Sequence, residues 1–220
     1  MTRRPATLSL APALPFKYVG GDPAIDLVNT VDWTARGLVD DRLTDYDRLT
    51  RWADAAGVIT PRLAAQLCSL AAEHPRIAER AHRDVVDLRW QLRQLFEAVT
   101  EGETLSGLPA LEQLNETLAS VLPRLELAVG ARAARGESAL RWSWRDAEEH
   151  LDAILWPVAR AAAELLVSDE ASRIRECGGE DCGWMYVDRS RNGLRRWCQM
   201  EVCGTREKSR QRAVRRIDAG

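Results

Sequence analysis

Four of the five cysteines lie in one short C-terminal stretch and form two pairs of equal spacing. Four residues separate Cys177 from Cys182, and the same number separates Cys198 from Cys203. Fifteen residues lie between the two pairs. This pattern is typical of a structural zinc site, because each close pair can occupy one edge of a tetrahedron of thiolates. We therefore predict that these four cysteines bind one Zn²⁺.

Two disulfides, or a redox or catalytic role, are the alternatives for the same cysteines. Pro5, Pro12 and Pro15 interrupt the apolar start of the chain, so it does not resemble a secretory signal. Cys68 also lacks a close partner in the sequence. We expect a reduced, cytoplasmic protein that is not an enzyme, because four thiolates fill a zinc shell that a catalytic centre keeps partly open. No stretch has the ~18 uncharged apolar residues that a membrane span requires.

The cysteine pattern divides the chain into a flexible tail at 1–15, a body at 16–170 and a module at 171–220. Apolar residues recur through most of the body at three- and four-residue spacing, which is typical of helices. The predicted fold class is mainly α. We expect a multihelical domain with a small β-hairpin, followed by a zinc-ribbon-like or zinc-knuckle module that ends in a basic helix.

Specific signals place the elements of the body. Thr60 and Pro61 predict a helix start, since Thr can cap a helix and Pro suits the first helical position. The period predicts a long helix over 75–101 and another that starts near Asp146, with Pro157 as a candidate kink. Two alternating runs, at 125–129 and 139–144, predict the hairpin.

Several single residues of the body are assigned to its core. We predict that Trp52, Trp90 and Trp156 pack inside the body, because they stand at or beside apolar helical positions. Cys68 lies on an apolar stripe and is predicted to be a buried small hydrophobe.

The module is predicted to contain a second hairpin. Residues 184–188 read as a strand, Asn192-Gly193 is a turn signal, and residues 194–197 would return towards the second cysteine pair. Glycines flank the cysteines, and we expect them to supply positive φ in tight knuckles. These glycines are Gly178, Gly179, Gly183 and Gly204.

The formal net charge of −2 conceals a strong asymmetry. Residues 1–188 carry a net charge of −9, whereas 189–216 hold ten basic and two acidic residues. Residues 206–216 contain good helix formers, and an arginine-rich helix beside a zinc site can bind DNA phosphates or bases. The alternative is a solvated basic face. The candidate nucleic-acid-binding residues are Arg189, Arg191, Arg195, Arg196, Arg206, Lys208, Arg210, Arg212, Arg215 and Arg216.

Two segments resemble known domains. Residues 188–206, with the sequence DRSRNGLRRWCQMEVCGTR, closely resemble the CGNR zinc finger. GGDPAIDLVNTV at 20–31 and DYDRLTRW at 45–52 are similar to the ABATE domain that usually precedes that finger. The resemblance implies a bacterial protein of the stress-induced transcription regulator type, with a helical sensor-like domain. It also implies that Cys177, Cys182, Cys198 and Cys203 are the metal ligands.

Two features qualify the resemblance. The signature reads Cys203-Gly204-Thr205-Arg206, with Thr where the family has Asn; Thr caps a helix slightly less well. Asp26 and Asn29 are polar residues within an apolar run, so they are candidates for a ligand pocket. Helix capping and turn hydrogen bonds are the competing explanation for both.

The leading hypothesis is a zinc-dependent, DNA-binding transcriptional regulator whose body senses a small-molecule or protein signal or forms a homodimer. Three alternatives remain: a protein- or RNA-interaction module on the same zinc scaffold, a ligand-binding sensor without direct DNA contact, and an enzyme centred on Asp26 and Asn29.

Overall fold

The computed structural model describes residues 15–34, 37–130 and 139–217; the side chains of 33, 34, 37–39 and 213–217 are outside that description. The predicted flexible tail therefore lies outside the described residues, apart from Pro15. Mainly α architecture is confirmed. The helices of the described chain are α1 (Pro23–Val28), α2 (Tyr46–Ala55), α3 (Pro61–Glu73), α4 (Pro75–Glu101), α5 (Pro109–Val121), α6 (Leu155–Val167) and α7 (Thr205–Ile217).

The strands form three separate antiparallel hairpins. β1 (Val31–Thr34) pairs with β2 (Gly37–Asp41), β3 (Leu125–Val129) with β4 (Leu140–Trp144), and β5 (Ile174–Glu176) with β6 (Met185–Val187). The predicted body hairpin is confirmed as β3–β4, in the register Leu125↔Trp144 to Val129↔Leu140.

Local signals account for the helix ends. The Thr60 hydroxyl accepts a hydrogen bond from the Leu63 N–H at 3.2 Å, and Pro61 is the first residue of α3. The long predicted helix is confirmed as α4. It ends at Gly102, whose φ of 70° is a left-handed conformation that glycine adopts without a Cβ penalty.

The body core is built around α4. Its inward stripe includes Val85, Leu92 and Phe96, all buried, and α1, α2, α5 and α6 pack against it. Trp52 and Trp156 are buried in this core, as predicted. Trp90 and Cys68 differ from prediction: Trp90 is 39% exposed, and Cys68 is an exposed residue.

The segment after Asp146 also differs from prediction. Asp146 has φ 54°, and two short 3₁₀ turns, at Ala147–Glu149 and Leu151–Ile154, precede α6. The helix therefore begins at Leu155. Pro157 then falls in the first turn, where an N–H has no partner within the helix, so the proline costs no hydrogen bond there.

The hairpin of the C-terminal module is arranged differently from the prediction. β6 pairs with β5, which precedes the first cysteine pair, and residues 194–197 form no strand. The first cysteine pair itself lies in the loop of this hairpin. The turn at Asn192-Gly193 is present, with Gly193 at φ 62°. Three residues of β5 and β6, namely Ile174, Met185 and Val187, belong to the body core.

Candidate metal centre and basic helix

The four paired cysteines meet at one point beside the body. Their Sγ atoms all lie within 4.8 Å of one another. Cys198 Sγ is 3.7 Å from Cys182 Sγ and 3.6 Å from Cys203 Sγ. A tetrahedron with Zn–S bonds of about 2.3 Å has edges of about 3.8 Å, so the cluster could hold a structural zinc ion. None of the five cysteines, all of which are described, forms a disulfide in this structure.

The charge balance of the cluster also suits a cation. A hydrogen bond from the neighbouring Cys182 thiol lowers the pKa of Cys177 to about 2, and the same contact raises the pKa of Cys182 to about 12. Hydrogen bonding to Cys177 likewise raises the pKa of Cys198. The thiols therefore resist losing their protons together. A bound divalent cation supplies the positive charge that allows all four to ionise.

Backbone hydrogen bonds hold the two cysteine pairs together. The Cys198 N–H donates to Cys177 Sγ at 3.2 Å, and the Gly178 N–H donates to the Arg196 carbonyl at 2.8 Å. The Cys203 N–H donates to the Gln199 carbonyl at 3.0 Å, within the single π-helical turn Met200–Gly204 that precedes α7. The second knuckle, the segment from Cys198 to Cys203, therefore runs directly into α7 through this turn.

The glycines near the cysteines allow close packing because they have no side chain, and not because they adopt a positive φ. None of the four glycines that were expected to have a positive φ has one. In the first knuckle, the segment from Cys177 to Cys182, the residue with a positive φ is Asp181, at 57°. A Cβ on Gly179 would lie 3.2 Å from the Cys203 Cβ, and one on Gly204 would lie 3.3 Å from Trp197 Cε3. These positions leave room for the close approach of the second knuckle.

Asn29 joins the body to the module. Its amide donates to the Met185 carbonyl at 2.8 Å and its Oδ1 accepts from the Met185 N–H at 2.9 Å. Both residues are buried. Asp26, also buried, accepts from the Gly20 N–H at 2.8 Å, and burial raises the pKa of Asp26 to about 6. A ligand contact at Asp26 or Asn29 stays a prediction, since their described partners are backbone groups of this chain.

Further contacts at this junction were not predicted. The Trp184 indole N–H donates to the Val31 carbonyl at 2.9 Å, and Arg93 of α4 donates to the Gly183 carbonyl and pairs with Glu97 at 2.6 Å. Trp184 lies two residues after Cys182, and this closeness to the cysteine pair is the sequence feature that could have predicted its role at the junction. Nothing in the sequence around Arg93, some 90 residues away, indicates this contact.

Three of the predicted nucleic-acid-binding arginines make contacts within the protein, although Arg189 and Arg210 stay about half exposed, at 51% and 50%. Arg195 stacks 4.0 Å over the Tyr186 ring and donates to the carbonyls of Val19, Trp197 and Cys198. Arg189 pairs with Glu170 at 2.6 Å and donates to the Gly21 carbonyl at 2.7 Å. Arg210 pairs with Glu180 and Glu207.

Five further described cations of this group are also exposed. They are Arg191, Arg196, Arg206, Lys208 and Arg212. Arg215 and Arg216 lie within α7, but their side chains are outside the described ones. α7 packs chiefly on the π-helical turn before it, and its described residues are exposed except for half-buried Glu207.

Thr205 is the first residue of α7. Its hydroxyl donates to the Met200 carbonyl at 3.2 Å, so it bonds backwards to the π-helical turn. An N-cap hydrogen bond, which is one role that the family Asn could have at this position, is not among the described contacts of Thr205.

A helical body with a docked four-cysteine module and a basic terminal helix defines a zinc-finger protein. The model of the ABATE family, described as "putative stress-induced transcription regulator", matches residues 21–169, and the model of the CGNR zinc finger matches residues 173–216. The chain belongs to the ABATE family and carries a CGNR zinc finger. No curated protein is similar enough to match it. No helix in the described part of the chain is long and apolar enough to span a membrane.

Proposed function

We propose that this protein is a zinc-dependent, DNA-binding transcriptional regulator in which α7 contacts DNA. The body at 16–170 senses a small-molecule or protein signal or forms a homodimer, and the module at 171–220 binds the nucleic acid. Cys177, Cys182, Cys198 and Cys203 hold the zinc ion, which links the two knuckles and supports the start of α7.

The exposure of α7 is the observation that supports this proposal best. The described side chains of α7, at 205–212, are all polar and are exposed except for Glu207, so this part of the helix buries little against its own protein and leaves its cations open to a partner of opposite charge. Lys208 and Arg212 are both exposed and are four residues apart, which places them on one face of the helix. That face can follow a phosphate backbone or enter the major groove.

The structure divides the basic residues by role. Arg195 donates to three backbone carbonyls, so its guanidinium supports the module rather than a phosphate. We therefore assign phosphate contacts to five of the exposed cations and set aside Arg189 and Arg210, whose guanidinium groups already pair with carboxylates. Each neutralised phosphate contributes about −0.9 to the slope of log affinity against log salt, so we expect a slope of about −4 to −5.

The test uses the full-length, zinc-loaded chain. Duplexes selected from a random pool are titrated at several salt concentrations. Lys208→Ala and Arg212→Ala should each make the slope shallower by about 0.9, whereas Arg76→Ala, at an exposed position of α4, should leave it unchanged. The proposal is wrong if no duplex shows salt-dependent binding, or if single-stranded RNA is bound more tightly than any selected duplex.

A further inference from the structure

An exposed leucine stands in the turn between β6 and the second knuckle. Leu194 is 75% exposed, and residues 191–193 before it are exposed as well. Isolated apolar residues are common on protein surfaces and indicate nothing by themselves. Leu194 differs from such residues because the turn that holds it is fixed at both ends and is rich in arginine.

A buried carboxylate fixes this turn. Asp188 is 1% exposed; one of its oxygens accepts from the Ser190 N–H at 2.9 Å, and the other accepts from the Arg195 N–H at 3.1 Å. Within the turn the Ser190 hydroxyl accepts from the Leu194 N–H at 3.2 Å, and Gly193 has a φ of 62°. Because these bonds restrain the backbone, the turn loses less conformational entropy on binding than a flexible loop would.

The turn lies close to the start of α7. A Cβ on Gly204 would lie 3.3 Å from Trp197 Cε3, so the residues after the turn pack on the beginning of that helix. A hydrogen bond from Arg210 lowers the pKa of Glu207, and the charge of Arg196 lowers it further, which places Arg196 near the first turn of α7. Only two residues separate Arg196 from Leu194 along the chain, so a duplex bound to α7 is within reach of the turn.

A groove of about 450 Å³ lies between the turn and the π-helical turn. It is lined by residues 194–201, all of them described, among which Glu201 is the one acid. Arg196 and Met200 both line it, and Met200 is 44% exposed. Such a lining suits a DNA strand, because the phosphates pair with guanidinium groups while the sugars accept apolar contacts.

We propose that Leu194 is an apolar wedge that enters the minor groove of DNA and partly unstacks one base step, while α7 contacts the duplex beside it. This inference rests on the proposed DNA binding and adds a second point of contact. Proteins that bend DNA through the minor groove insert a side chain of this kind and read the groove with Arg or Asn; Arg191 and Asn192 supply these neighbours. The minor groove is about 6 Å wide, so it admits a turn more readily than a helix of about 10–12 Å.

Charge and size favour DNA over a protein partner for this turn. Residues 189–196 contain four arginines and no acid, whereas charged residues are depleted in the centre of protein–protein interfaces. A wedge gains its free energy from the contacts that the bent duplex makes, so one exposed leucine is sufficient. The step that it enters should unstack easily, so we expect a TA or CA step there.

The test uses the full-length, zinc-loaded chain and the tightest duplex from a random pool. Energy transfer between dyes at the duplex ends measures bending, and 2-aminopurine fluorescence at the step measures unstacking. Leu194→Ala should weaken binding about tenfold and reduce both signals, but should leave the salt slope unchanged, because leucine releases no counterions. Leu194→Met should retain both signals, since methionine also serves as a wedge. Leu122→Ala, at an exposed position of the body, is the matched control and should behave as the wild type does.

Inosine–cytosine pairs identify the groove that is read. They keep the minor-groove pattern of A·T pairs but present the major-groove pattern of G·C pairs. Their introduction in place of A·T at the unstacked step should therefore preserve bending, whereas G·C pairs, which add an amino group in the minor groove, should reduce it.

The outcomes separate this inference from the proposed function. If no duplex shows salt-dependent binding, both are wrong. If Lys208→Ala makes the salt slope shallower but Leu194→Ala binds and bends the duplex as the wild type does, only the wedge is refuted. Loss of bending with inosine–cytosine pairs would also overturn the wedge. So would a dimer in light scattering that Leu194→Ala dissociates, because Leu194 would then contact a second copy of this chain.

Discussion

Replacement of Asn29 by Ala tests whether the zinc module depends on the body. The side chain is 2% exposed and makes two hydrogen bonds to the backbone of Met185, which is fully buried. Alanine removes both partners and leaves a buried N–H and a buried carbonyl unsatisfied. Each such group costs about 1–3 kcal/mol, so we expect the free energy of unfolding to fall by about 2–5 kcal/mol.

Two measurements check this value. Urea unfolding of the zinc-loaded protein, followed by circular dichroism, gives the change in free energy of unfolding. Zinc transfer to a coloured chelator reports opening of the module; a loss of 2 kcal/mol at the junction should accelerate release about thirtyfold, since about 1.4 kcal/mol is a factor of ten.

Asn115→Ala is the matched control. Asn115 is exposed on α5, and its replacement should change the stability by less than about 0.5 kcal/mol. The reasoning is refuted if Asn29→Ala is no more destabilising than Asn115→Ala. It is also refuted if zinc release is equally slow in both variants, because the zinc site would then be independent of the contact between Asn29 of the body and Met185 of the module.

Three further predictions concern the metal centre and the buried carboxyl group of Asp26 in the body. Elemental analysis should find one zinc per chain; Cys182→Ser should lose it, and Cys68→Ser, at an exposed thiol outside the cluster, should keep it. Gly179→Ala should weaken zinc affinity at least tenfold in competition with a chelator, because the new Cβ presses on Cys203 at 3.2 Å, whereas Gly130→Ala, with 3.7 Å to its nearest atom, should not. Burial raises the pKa of Asp26 from 3.8 to about 6, so between these two values the folded protein holds a proton that the unfolded chain has released. The free energy of unfolding therefore falls as the pH rises through the folded-state pKa of about 6. Between pH 5 and pH 7 this loss should be about 1 kcal/mol in urea unfolding and should be absent in Asp26→Asn; an identical pH dependence of the two proteins would contradict it.

The parts of the fold that could be predicted from the sequence depend on local chemistry. The start of α3 follows from the Thr60 cap and Pro61, and the extent of α4 follows from its apolar period. The hairpin β3–β4 likewise follows from two alternating runs. These signals involve neighbours within a few residues, so they act before any tertiary contact forms.

The errors arise where distant partners decide the outcome. Residues 194–197 were expected to return as a strand, but β6 pairs with β5, because the first cysteine pair closes that hairpin. Arg195 reads as one more cation of a basic segment, and only the positions of Tyr186, Val19 and Cys198 show that its guanidinium is engaged. A count of charges cannot separate arginines that support the module from arginines that face solvent.

The sequence by itself determined the mainly α body, the four-cysteine cluster and the basic character of the C-terminal helix, because spacing and composition encode these directly. Only the tertiary structure showed that the module is docked on the body through Asn29 and Met185, 156 residues apart. It also showed that the turn that exposes Leu194 is anchored to the body, through the hydrogen bond from Arg195 to the Val19 carbonyl. Such features depend on which surfaces meet after folding, and no local pattern of residues specifies them.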